Sequence, residues 1–111
     1  MKSKPIARSR RTLPEAPAAA GWTFFTNHAH VLFAVAADPE ARLRDLAERV
    51  GITERAVQRI LTDLQAEKYV MVTKAGRRNR YKVNPRLSLR HPIEHHRTVK
   101  ALLDLVEGNG R

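Results

Sequence analysis

Apolar residues in this chain recur first with helical spacing, then with strand spacing, then with helical spacing again. The first helical segment, NHAHVLFAVAAD, has Asn27 as its expected N-cap and is closed by Pro39. Val31, Leu32, Phe33 and Val35 cover more than one of its faces. That predicts packing on the chain's own core and on a second surface, most simply another subunit. The second segment, RLRDLAERVG, carries Leu43, Leu46, Ala47 and Val50 at i, i+3, i+4 and i+7 and stops at Gly51, where a left-handed residue is wanted. Thr53 can then cap a third segment, ERAVQRILTDLQAEK, with Val57, Ile60, Leu61 and Leu64 as its apolar stripe. Two helices joined by so short a turn are the mark of a helix-turn-helix.

Beyond it, YVMVTK and RYKVN read as two strands around AGRRN, whose glycine suits a tight hairpin. Gly76 and Asn79 are expected to shape the turn, and Tyr81 and Val83 to anchor the strand to the core. A last helix is expected to start at Pro92, in PIEHHRTVKALLDLVEG, with Ile93, Val99, Leu102, Leu103 and Val106 on one side. Residues 1–21 hold Lys2, Lys4, Arg8, Arg10 and Arg11 with no acid before Glu15 and no apolar period. They read as a disordered basic arm, with a tail that embraces DNA as the alternative. The expected division is therefore an arm over 1–21, a core domain over 22–90 and a terminal helix over 91–111.

Composition narrows the partner more than the fold. The 111 residues leave room for one domain, and 21 Lys and Arg against 11 Asp and Glu give a formal charge of +10 and a pI near 11.1, which points to a polyanion. The absence of cysteine excludes disulfides, thiolate zinc sites and iron–sulfur clusters. The N-terminal stretch lacks the apolar run of a secretory signal, and no later stretch approaches a membrane span, so a soluble cytoplasmic protein without a membrane partner is expected.

Helix, short helix, tight turn, helix, basic hairpin, helix is the winged helix-turn-helix order. The run LAERVGITERAVQRILTDLQAEKYVMVTKAGRRNRYKV resembles winged-helix transcriptional regulators of the MarR and ArsR types, the resemblance covering roughly residues 27 to 90. It rests on Leu46-Ala47, Gly51, Ile52-Thr53, Val57, Ile60 and Leu64, followed by a cationic wing. The fold expected is mainly α with a small β-hairpin (α+β): a three-helical core, a wing and a C-terminal dimerisation helix. The resemblance implies that helix 54–67 enters the major groove of double-stranded DNA while the wing, 74–83, holds the flanking backbone or minor groove.

The residues agree with that role. With the apolar stripe inside, Arg55, Gln58, Arg59 and Thr62 share the outer face of the third helix, with Thr53 at its start. Arginine offers a fork to guanine, glutamine pairs with adenine, and threonine meets a phosphate or a thymine methyl. A solvated face is the plainer reading of such a stripe, but the tight turn before it and the charge of the chain favour DNA. Lys74, Arg77, Arg78, Arg80, Lys82, Arg86 and Arg90 follow with no acid among them. Unrelieved positive charge of this density makes Lys74, Arg77, Arg78 and Arg80 candidate phosphate or minor-groove contacts. In the resembling families flanking helices build a homodimer. The matching residues are Leu32 and Val35 in the first helix and Val99, Leu102, Leu103 and Val106 in the last, although the additional long helices of large MarR proteins have no counterpart.

The five histidines invite a metal, but His28 and His30 are two apart on a helix and point apart, while His91 precedes the last helix start. No metal or other cofactor is expected, and no effector is suggested. Nothing supports catalysis: there is no glycine-rich phosphate loop, and Ser3, Ser9 and Ser88 lack an evident His–acid partner. The reading is a homodimeric, sequence-specific transcriptional regulator. Its rivals are a nucleic-acid binder without sequence choice, chromosome- or RNA-associated, and a winged helix that docks an acidic protein.

Overall fold

The chain is described over residues 21–108 by a computed structural model; the expectation for the basic arm falls almost wholly outside them. Helix α1 (Asn27–Ala37) starts one residue earlier than its sequence suggests. Thr26, in extended backbone, is the cap and accepts from the Ala29 amide at 3.3 Å, while Asn27 lies in the first turn beside His30. Helix α2 (Leu43–Val50) ends as its glycine requires: Gly51 has φ +86°, and its amide and that of Ile52 both donate to the Ala47 carbonyl, at 2.8 and 3.1 Å. Thr53 then caps helix α3 (Glu54–Ala66), accepting from the Ala56 amide at 3.0 Å. The chain leaves α3 through Lys68, a non-glycine residue at φ +69°, and Tyr69 closes the end by donating to the Leu64 carbonyl at 2.9 Å.

Strands β1 (Val70–Ala75) and β2 (Arg78–Val83) pair antiparallel from Val70 opposite Val83 to Ala75 opposite Arg78. The turn is therefore two residues, Gly76 and Arg77, with Gly76 at φ +67°. A glycine in the first central position is what a type II′ turn needs, and that turn follows the twist of the strands it joins. Asn79 consequently has no turn role, because it lies in β2 opposite Lys74. The connection between α1 and α2 adds one rung to the hairpin's other edge, where the Tyr81 amide donates to the Pro39 carbonyl at 2.8 Å.

Helix α4 (Val99–Glu107) starts well after Pro92. Ser88 and Thr98 form an isolated antiparallel bridge, flanked by bonds from the Leu89 amide to the Arg97 carbonyl at 3.0 Å and from Val99 to Leu87 at 2.8 Å. Residues 97 and 98 are thus committed to extended pairing, and a helix can begin only beyond them. Thr98 caps it, accepting from Ala101 at 3.2 Å. Pro92 and Ile93 end in the intervening turns, with Ile93 78% exposed and off any apolar stripe.

One core joins these elements. Val31, Leu32, Ala34 and Val35 of α1 meet Leu46 and Ala47 of α2, the four stripe residues of α3, Val70, Tyr81 and Val99. Helix α1 is its centre, touching α2, α3, β2 and α4. This corrects the interface assignment of Leu32, Val35 and Val99, which are 5%, 1% and 0% exposed within a single chain. A side chain already enclosed by its own protomer has no surface left for a partner. Phe33, the remaining large apolar residue of α1, is only half-buried and meets the exposed Phe25 edge-on. Among the described residues no helix is long and apolar enough to cross a membrane.

At the start of α2, Asp45 accepts from both the amide and the guanidinium Nε of Arg42, each at 3.4 Å. Slight burial pushes the Asp45 carboxyl up, but these bonds and the charges of Arg42 and Arg44 outweigh it and hold the group below its ordinary 3.8. A lowered carboxylate pKa stabilises the fold above its unfolded value, and that contribution is lost as pH falls through the folded value. Asp45→Asn should therefore lower stability toward urea at about pH 7, and the difference from wild type should shrink at acid pH, as the Asp45 carboxyl takes up its proton. Equilibrium unfolding at the two pH values measures it.

Candidate nucleic-acid interface

Two elements carry the polar residues singled out in the sequence, and the core fixes both. In α3, burial of Val57, Ile60, Leu61 and Leu64 turns Arg55, Gln58, Arg59 and Thr62 to the solvent, where all four are exposed. Among the described residues the side chains of Arg55, Gln58 and Arg59 enter no hydrogen bond or ion pair, so their full donor capacity faces outward. Two neighbours are partly used. Thr53 spends its hydroxyl oxygen on the helix cap, and Thr62 donates to the Gln58 carbonyl at 3.0 Å, which leaves only acceptor capacity at its oxygen. Beside the stripe, Asp63 meets His28 Nε2 of α1 at 2.8 Å, an exposed contact between α3 and the central helix.

The hairpin divides its cations by strand alternation. Tyr81 is buried and Val72 and Val83 are half-buried against the core, and this inward side continues toward the tip as Lys74 and Asn79. The outward side carries Arg78, Arg80 and Lys82 with Met71 and Thr73. Arg77 is at the tip itself. Lys74 and Arg77, like the α3 arginines, are exposed and have no bonded side-chain partner among the described residues.

Arg78 and Arg80 differ. Arg78 Nη1 donates to the Glu40 backbone carbonyl at 2.8 Å, and Arg80 donates through Nε and Nη2 to Glu40 Oε2, at 3.1 and 2.5 Å. Together with the Tyr81 bond to Pro39, these tie β2 to the loop between α1 and α2. Nothing local in the sequence marks Glu40. It precedes Arg80 by forty residues, and only the folding of α1 against β2 brings the loop to the wing. An open cleft separates them, lined by Asp38 and Pro39 on one side and Met71, Thr73 and Lys82 on the other.

The histidines are dispersed. His91 Nδ1 accepts from the Ile93 amide at 3.1 Å in a local turn, and among the described residues no group of three or more His, Cys, Asp or Glu is placed to hold a metal ion. Apolar exposure is concentrated elsewhere. Leu105 and Val106 of α4 are exposed, Leu102 and Leu103 are half-buried, and Trp22, Phe24 and Phe25 lie exposed ahead of α1, with Phe25 edge-on to Phe33 at 5.3 Å. Leu105 and the three aromatics were not among the residues expected at an interface. The exposed aromatics fall before any periodic pattern, and Leu105 falls outside the stripe that faces the core.

Comparison with known proteins agrees with this architecture. No curated protein matches the chain. A family model described as the MarR family matches residues 26–78, just under half of the chain, from the cap of α1 through the helix-turn-helix to the first residue of β2. Among the described residues, four helices and a two-stranded antiparallel hairpin, in the order α1-α2-α3-β1-β2-α4, complete the α+β winged helix around that match. Over residues 26–78 the chain is therefore similar to the MarR family, and its elements take the order of a winged helix.

Proposed function

We propose that this protein is a non-enzymatic transcriptional regulator that reads duplex DNA with α3 and grips the flanking backbone with the wing, as a homodimer. The observation that carries the reading is the pair of unengaged arginines and the glutamine on the outer face of α3, on a helix immobilised by the burial of Val57 and Ile60. Arg55 and Arg59 have the donor geometry for guanine, and Gln58 that for adenine. The formal charge of +10 supplies the sequence-independent attraction that any such contact needs to be reached.

Within the wing, Lys74 and Arg77 carry the direct phosphate contact, since neither is occupied inside the protein. Arg78 is held on a backbone carbonyl and is a brace before it is a ligand. For the homodimer, the residues of α4 available to a partner are Leu102, Leu103, Leu105 and Val106. Leu105 is 73% exposed on a nine-residue helix, a position at which an isolated apolar side chain gains nothing from its own chain. A helix apolar on both its inner and outer sides fits a second protein surface.

Selection of bound sequences from random duplexes should yield a motif, and Arg55→Ala and Gln58→Ala should each relax it at particular bases, at a cost of about 1–3 kcal/mol per lost base contact. A failure to enrich any motif would favour binding without sequence choice. Lys74→Ala combined with Arg77→Ala should weaken all duplexes alike and reduce the slope of log K against log salt by roughly two per protomer. Leu105→Asp should convert the protein to a monomer in sedimentation with its unfolding midpoint unchanged, because that side chain is not part of the core. A persistent dimer would place the subunit contact elsewhere.

A further inference from the structure

The wing's basic side is occupied in the free protein by the chain's own carboxylate. Glu40 presents Oε2 to both Nε and Nη2 of Arg80, and its backbone carbonyl holds Arg78 Nη1 beside it. A guanidinium fork on an anionic oxygen is also how arginine meets a DNA phosphate. The Arg80 and Glu40 side chains are 58% and 41% exposed, so the pair is in contact with water and can be exchanged. Only one carboxylate oxygen is used, and Nη1 of Arg80 is left over, so the fork is less than fully matched.

Building on the DNA-binding reading, we propose that Glu40 is an internal competitor for phosphate. It parks Arg80 against the loop between α1 and α2, and DNA engages Arg80 only by displacing the carboxylate. Glu40 thereby lowers the affinity of the wing for any backbone, which leaves a larger share of the discrimination to α3. The same exchange turns the repulsion between Glu40 and an approaching phosphate into part of the cost of binding. Asp38 provides an internal comparison: it lines the same cleft and carries the same charge, but its carboxylate has no bonded partner among the described residues.

Fluorescence anisotropy with a labelled duplex of arbitrary sequence tests this. Loss of an exposed ion pair corresponds to a tightening of about two- to five-fold for Glu40→Gln at low salt. Asp38→Asn, which removes the same charge without freeing an arginine, should tighten binding less. In an Arg80→Ala background Glu40→Gln should do no more than Asp38→Asn, and Arg80→Ala alone should flatten the salt slope by about 0.9 per protomer, the share of one phosphate contact. Equal effects of Glu40→Gln and Asp38→Asn, weaker binding by Glu40→Gln, or an unchanged slope in Arg80→Ala would each overturn the competitor role, the last two by making the pair a permanent brace. A wild-type protein that bound no duplex would overturn the function proposed above. Binding that followed net charge alone would remove only the role of Glu40.

Discussion

Everything in this small protein depends on the burial of α1. Its four enclosed residues meet the other helices and the hairpin at once, and each fully buried valine or leucine contributes about 1.5–3 kcal/mol relative to exposure. With α1 at the centre, α2 and α3 can be short and still be held firmly, the hairpin has a wall to lean on, and α4 is pinned through Val99.

From this centre the candidate DNA-facing parts follow by exclusion. The stripe of α3 that meets α1 and α2 fixes which of its side chains are left outside, and the inward side of the hairpin fixes which cations extend toward the tip. The division between unengaged cations, Arg55, Arg59, Lys74 and Arg77, and the engaged pair, Arg78 and Arg80, arises in the fold and not in the composition. The loop between α1 and α2 takes part in this division by lending its backbone to β2 at Pro39 and Glu40.

What was legible in the residues was whatever short-range physics decides. The stripes of α2 and α3, the stop at Gly51 and the cap at Thr53 each depend on neighbours within a few positions, and all were read correctly. The errors share a different cause. Pro92 looked like a helix start until the bridge between Ser88 and Thr98 claimed the backbone ahead of α4. Asn79 looked like a turn residue until the two-residue turn moved it into a strand. Leu32 and Val35 looked like interface residues because an apolar face alone does not say which chain covers it. No local pattern marks Tyr69, whose hydroxyl donates to the Ser88 carbonyl at 2.5 Å and joins the start of the hairpin to the segment after it.

Among the described residues the hairpin is also a sheet of two strands, and none of them pairs with β1 on its far side. Such an edge exposes unpaired amides and carbonyls to which another strand can add, and native proteins deter this with charge. Lys74 in β1, with Arg78, Arg80 and Lys82 in β2, makes any second copy of this hairpin a like-charged partner. The wing's cations thus carry a burden of their own: they keep an open sheet edge from recruiting its own kind, and replacing several of them at once removes that barrier to aggregation.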